Sequence, residues 1–218
     1  MLTLVSLVLA QIVSAILASA PAAPDIGTND NRAAAGRLAS GVLSVSLVAQ
    51  PGVWHPEKSN GPGIPVFAFS EEGKPLLVPG PMIRASAGTE LRVTVRNALP
   101  MAIYLRGLQD HSSSAVDTAE VPSGATREIR FRANTPGTYY YWARTDRITP
   151  GLSGTDDSQL VGAFIVDPPG MAPSVDERVM LISLWQDTLR VAGVSKGQKE
   201  TIVVNGLSWP HTERLAYT

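Results

Sequence analysis

An all-β Greek-key sandwich or barrel is the fold class this sequence predicts, and three observations predict it. Apolar and polar residues alternate over short segments, as in Leu91-Arg92-Val93-Thr94-Val95-Arg96, which is the pattern of a strand buried on one face. Turn formers are dense: 19 Gly and 17 Pro among 218 residues, about 17% where roughly 12% is average. No long segment carries the 3.6-residue period of an amphipathic helix.

The elements follow in order. Leu2 to Leu17 is an apolar run without a charge, and the small residues Ala18-Ser19-Ala20 come next. The pattern reads as a secretory signal peptide over residues 1–22, cleaved near Ala20 or Ala22, or as an uncleaved N-terminal anchor through residues 2–17. Export to a periplasmic or secreted location is the expectation. Residues 23–40 are rich in Ala, Asn and Gly and read as a linker. Strands are expected at Val42–Ala49, Pro65–Phe69, Met82–Ala85 and Glu90–Asn97. On the last of these Leu91, Val93 and Val95 face the core. Ile103–Leu105 follows, then Thr126–Ala133 with Ile129 and Phe131 inward. Tyr139–Arg144 and Leu160–Val166 complete a first domain over residues 41–168. Asp167-Pro168-Pro169-Gly170 and Pro173 mark a boundary. Beyond it, strands at Arg178–Gln186 and Thr201–Asn205 belong to residues 174–218. That tail is too short to bury a core of its own. It either docks on the first domain or opens a second domain of a longer chain, and the second is the expectation.

Composition excludes several functions. The chain has 18 Lys and Arg against 19 Asp and Glu, a net charge of −1, so no long-range attraction to nucleic acid is expected. Arg92, Arg96, Arg130 and Arg132 alternate with apolar residues and read as a solvated strand face. Cysteine is absent, which removes disulfides, thiolate nucleophiles and a blue-copper centre.

Few residues offer chemistry. The three histidines, His55, His111 and His211, never fall at a spacing that pairs two imidazoles on one face. His111 reads as a solvated loop residue, His55 as part of a turn, and His211 as structural or exposed. Asp146, Asp156 and Asp157 lack the regular oxygen spacing of a calcium loop and read as solvated. Ser112-Ser113-Ser114 has no fixed base or nucleophile elbow nearby. Gly61-Pro62-Gly63 is a turn, since no helix follows to cradle a phosphate. On the strand through Tyr139–Arg144, Trp142 and Arg144 stand two apart and share a face. An indole has no free lone pair and a guanidinium stays protonated, so this face is unsuited to a cation.

The ordered motifs PGPMIRASAGTELRVTVRNALP from Pro79, then YLRGL, VPSGATREIRFRANTPGTYYYWAR and DSQLVGAFIVDPPG, resemble the first cupredoxin domain of the multicopper oxidases. The tail VVNGLSWPHTERLAYT resembles the opening of the next domain, so the likeness runs from near Val42 to the C-terminus. The resemblance implies a cupredoxin-like Greek-key β-sandwich. It also implies a family activity, copper-dependent substrate oxidation coupled to dioxygen reduction.

In that family the strand after Arg-Asn-x-Leu-Pro carries His-x-His-Gly, and the strand after Pro-Gly-Thr-Tyr carries His-x-His. These four histidines help hold a trinuclear copper cluster. Carried over, the positions are Tyr104, Arg106, Trp142 and Arg144, none of them histidine. The family's other ligands lie in its last domain. The resemblance therefore implies copper in the family and none in this chain alone, which is expected to be structural. Its implied partners are downstream cupredoxin domains of the same protein or of another subunit. Arg106, Trp142 and Arg144 form a candidate anion or interface site, for a carboxylate or an acidic side chain of a partner domain. The alternative is a copper-free cupredoxin-fold binding module that uses the aromatic and Arg face.

Overall fold

The computed structural model describes residues 23–58, 60–113, 117–147, 156–171, 173–174, 176–191 and 194–214, with side chains left out of account over 187–199. The apolar run at residues 2–17 and Ser114 lie outside these.

Among the described residues there are fifteen strands: β1 (Asp25–Thr28), β2 (Arg37–Ala39), β3 (Val42–Trp54), β4 (Ile64–Glu71), β5 (Leu76–Val78), β6 (Gly80–Ser86), β7 (Thr89–Asn97), β8 (Ile103–Arg106), β9 (Ala119–Val121), β10 (Thr126–Ala133), β11 (Gly137–Arg144), β12 (Val161–Asp167), β13 (Ile182–Val191), β14 (Val194–Val204) and β15 (Leu207–Ser208). A 3₁₀ turn, Asp156–Gln159, precedes β12. Among the described residues, no helix is long and apolar enough to cross a membrane.

The first sheet runs β1-β5-β4-β3-β7-β10, with β2 paired to β3, and the second runs β6-β12-β11-β8-β9. Neighbours far apart in sequence, such as β3 beside β7 and β6 beside β12, give the sandwich its crossed connections. The two inner faces meet in one core. Leu91, Val93 and Val95 of β7 are each fully buried there, with Phe69, Ile83, Leu105, Tyr141 and Phe164. The alternation in β7 predicts this placement, because burying every second residue removes their apolar area from water at about 25 cal/mol per Å². The fold is thus the expected cupredoxin β-sandwich. Arg92 and Arg130 lie opposite each other on its outer face with Glu128 between them, a solvated, largely self-neutralised surface.

The linker expected at 23–40 is a correction. Residues 25–28 pair parallel with both β3 and β5, and 37–39 form a hairpin with β3. Asn29 and Asn31 are buried. The Asn29 amide donates to the Gly80 carbonyl at 3.0 Å, and the Asn31 amide donates to Asn205 Oδ1 at 3.0 Å. This segment is held by backbone and amide hydrogen bonds, so it shows no apolar alternation. The first domain accordingly begins near Asp25 rather than at residue 41.

The tail forms a third sheet, β13-β14-β15, and it docks on the first sheet. Trp185 and Val203 join Ile26, Trp54, Val66, Ala68, Leu76 and Val78 in a second apolar cluster. Trp54 and Trp185 meet edge to face at 6.1 Å. The Trp54 Nε1–H donates to the Gly206 carbonyl at 2.8 Å. Gly206, at φ +83°, presses on the Val78 backbone so closely that a Cβ there would collide with its carbonyl oxygen. Arg84 ties the connecting segment down, pairing with Asp167 at 2.7 Å and Glu177 at 2.9 Å. β13 starts at Ile182, later than the Arg178 expected from sequence.

Candidate functional site

β8 and β11 are antiparallel neighbours, and the register places Trp142 opposite Arg106 and Arg144 opposite Tyr104. Strand alternation sets their direction. Ile103 and Leu105, with Tyr141 and Ala143, are buried in the core. Tyr104, Arg106, Trp142 and Arg144 are therefore turned to the outer face of the second sheet. Gly107 ends β8 at φ +83°, where a Cβ would strike the Tyr140 carbonyl oxygen. Only glycine lets the chain leave β8 this close to β11.

The side chains expected to converge do so. The Arg106 guanidinium carbon lies 4.8 Å from the Trp142 ring centre, and that of Arg144 lies 5.7 Å from it. Beside them Arg147 stands 4.9 Å from the Tyr104 ring centre and pairs with Glu120. The Tyr104 hydroxyl first, then Glu120, raises the Arg147 pKa further above its usual value. Arrays of guanidinium over aromatic rings are attractive through the ring quadrupole.

The two arginines differ in their partners. Arg144 is buried, and its Nη1 donates to Asp157 Oδ1 at 3.2 Å, with side-chain exposures of only 8% and 3%. The other Asp157 oxygen accepts from the Thr145 amide at 2.8 Å and hydroxyl at 2.9 Å. This corrects the solvated reading of Asp157: the 3₁₀ turn carries it inward as a fixed counter-charge. Arg106 donates from Nε to Thr118 Oγ1 at 2.9 Å and from Nη2 to the Arg147 carbonyl at 3.4 Å. Among the described residues it makes no ion pair with a carboxylate.

The histidines lie apart from this face. His111 stacks on Tyr139 at 3.8 Å and 8° between planes, and contacts Phe164 at 6.0 Å. It is part of an aromatic cluster rather than a solvated loop residue. His55 follows β3 and bridges the Gly61 carbonyl at 2.9 Å and Asp25 at 3.3 Å. His211 is exposed. Among the described residues, no group of three His, Cys, Asp or Glu side chains is placed to share a metal ion. Asp157 is the site residue that sequence reading missed. Its partner lies 13 positions away, and no periodicity links the two.

Comparison with known proteins gives a consistent result. The sequence model of the multicopper oxidase family matches residues 77–170. Multicopper oxidase MmcO of Mycobacterium tuberculosis is 33% identical over 116 residues, which cover 50% of this chain and 22% of that protein. The chain thus spans about a fifth of the length of this relative. Among solved structures, multicopper oxidase mgLAC superposes with a TM-score of 0.55 at 22% identity, over 79% of this chain and 56% of that one. A copper nitrite reductase from Nitrosomonas europaea gives 0.53 at 19% identity, over 76% and 57%. At such identities the structural likeness speaks to fold alone.

Proposed function

We propose, from the match of residues 77–170 to the multicopper oxidase family model, that this chain is the N-terminal cupredoxin unit of an exported multicopper-oxidase-like protein. In that unit a packed, non-ligating face stands where relatives hold copper. Copper-dependent oxidation of a substrate, with reduction of dioxygen, is then the work of other domains. Residues 1–22 are its export signal, and residues 174–218 supply the first strands of a second cupredoxin domain.

The donor chemistry of the face supports this reading. Trp142 has no free lone pair, and Arg106 and Arg144 are permanent cations. Tyr104 is a phenol covered by the Arg147 guanidinium. These groups do not fit a copper ion, and no reaction step is assigned to them. The observation that carries the proposal is the Arg144–Asp157 pair. A buried carboxylate already neutralises one of the carried-over positions, so that position is built to hold a guanidinium.

The remaining role is contact with a neighbouring domain. Arg106, beside Trp142, is placed to receive an acidic side chain from an adjoining cupredoxin domain of the same protein or another subunit. The tail supports the same view. Trp185 and Val203 are buried on one side of the β13–β14 hairpin, while Ile182 and Ile202 are 67% and 66% exposed on the other. Strands apolar on both faces are strands covered by two layers.

Electron paramagnetic resonance of the purified chain during Cu(II) addition tests the proposal. The expected spectrum is that of aqueous copper throughout. A protein-bound signal that disappears in a Trp142→Leu or Tyr104→Leu variant overturns it.

A further inference from the structure

β14 and β15 are joined by a two-residue turn, Asn205-Gly206, with Val204 paired to Leu207 across it. Both turn residues have positive φ, +49° and +83°, and Asn-Gly is the pair that such a hairpin turn favours. The same pair carries a latent reaction. Glycine has no Cβ, so the Gly206 nitrogen is unhindered in attacking the Asn205 side-chain carbonyl carbon. The sequence has one other Asn-Gly pair, Asn60-Gly61, and Asn60 is exposed in a turn.

Asn205 stands in different surroundings. It is 9% exposed, and both ends of its carboxamide are tied. Oδ1 accepts from the Leu181 amide at 2.9 Å and from Asn31 Nδ2 at 3.0 Å. Nδ2 donates to the Val179 carbonyl at 3.0 Å, and the Asn205 backbone amide donates to the Leu181 carbonyl at 2.9 Å. Asn31 belongs to the first domain, and Val179 and Leu181 to the segment that enters β13. This carboxamide is therefore a joint between the first domain and the tail. Turning it toward the Gly206 nitrogen breaks these bonds, which is what local opening of the tail does.

We propose that Asn205 is a deamidation site gated by the docking of the tail. When the tail opens, the Gly206 nitrogen gives its proton to solvent and attacks Asn205 Cγ. A bond from that nitrogen to Cγ closes a five-membered succinimide, and Nδ2 takes up a proton and leaves as ammonia. Water then opens the ring at either carbonyl, giving aspartate or isoaspartate, with no change of oxidation state. Either product opposes re-docking. An ionised carboxylate has no donor for the Val179 carbonyl, and isoaspartate adds a methylene to the main chain of a two-residue turn. A reversible contact thus becomes a permanently open one. The inference does not rest on the copper reading, since copper bound at the outer face of the second sheet leaves it unchanged.

Peptide mapping by mass spectrometry, with isoaspartyl methyltransferase labelling, follows both Asn-Gly pairs while the purified chain is aged at mildly alkaline pH. Free peptides of residues 201–209 and 56–64 give the unrestrained rates. In the folded chain Asn205 is expected to react about tenfold or more slowly than in its peptide, because the open tail is a small minority, whereas Asn60 stays within about threefold of its own peptide. Asn31→Ala and Trp185→Ala loosen docking from opposite sides without touching the turn, and each brings the Asn205 rate toward the peptide value. Sub-denaturing urea does the same in the native sequence, without a variant. Asn205→Asp reproduces one product and speeds limited proteolysis of the segment between β12 and β13. The proposal is overturned if Asn205 reacts as fast in the folded chain as in the peptide. It is equally overturned by an Asn205 rate that neither variant nor urea moves, or by an Asn205→Asp tail as protease-resistant as the native one.

Discussion

Arg106 lies directly across the β8–β11 ladder from Trp142, its guanidinium carbon 4.8 Å from the centre of the indole ring. Arg144 approaches the same ring at 5.7 Å, so one aromatic plate serves two cations. Such contacts contribute about 0.5–1 kcal/mol when exposed and about 2 when desolvated. Trp142→Leu is therefore expected to lower stability by ~1–2 kcal/mol in urea unfolding. In a double-mutant cycle with Arg106→Met, the coupling should be favourable and near the exposed-site figure. Zero coupling would show that the two side chains merely sit side by side.

The Arg144–Asp157 pair is predicted to be costly to break from one side only. Removing one partner of a buried ion pair leaves the other charge uncompensated, at about 3–5 kcal/mol, whereas replacing both by apolar residues is often neutral. Asp157→Asn should fall in that range. Arg144→Met combined with Asp157→Leu should recover most of the loss. Chemical denaturation of the two single variants and the double variant measures this, and a simple additive loss would contradict it.

Docking of the tail depends on one indole. Trp54→Phe keeps most of the ring but removes the 2.8 Å hydrogen bond to the Gly206 carbonyl, a loss of about 1 kcal/mol or more because the carbonyl is left unpaired. Limited proteolysis of the segment between β12 and β13 should quicken while the first domain stays intact. Gly206→Ala should have a larger effect. It adds a backbone collision with Val78 at a positive-φ site, where non-glycine residues already cost about 1–3 kcal/mol.

Stability should fall with rising pH through His55. The Gly61 carbonyl first, then Asp25, favours the protonated ring and raises its pKa above the ordinary 6.5. The folded chain thus keeps the proton to higher pH than the unfolded chain does. The contribution is complete below about 6.5 and is lost as pH rises through the folded-state value. The melting-temperature advantage of the native chain over His55→Gln should shrink between pH 6 and pH 8, an interval of two units around the histidine range. A difference that stays constant or grows with pH would contradict this.

Long alternating strands were legible because burial on one face imposes a period of two. β7 and β10 show this, with Leu91, Val93, Val95, Ile129 and Phe131 all turned inward. β1, β2, β5 and β9 are only three or four residues long. Backbone pairing holds them, β1 to the distant β3 and β5, β2 and β9 to the strands next to them in the chain, which leaves no periodic mark. The convergence of Arg106 and Trp142 was also readable, since both lie on strands whose outward positions follow from parity. The burial of Asp157 and the stacking of His111 on Tyr139 were not readable. Each depends on how a loop folds back over the sheet, and local sequence does not encode that. The docked tail was weighed in the sequence but not favoured. Its anchor is Trp54, a core residue of another sheet.

Copper content after equilibrium dialysis tests the central claim most directly. The purified chain is dialysed against excess Cu(II), then against metal-free buffer, and its copper is measured by elemental analysis. The face built from Tyr104, Arg106, Trp142 and Arg144 predicts that no stoichiometric copper is retained. Retention of one or more tightly held ions per chain, lost when Tyr104 or Trp142 is replaced by leucine, would contradict a non-ligating cupredoxin face.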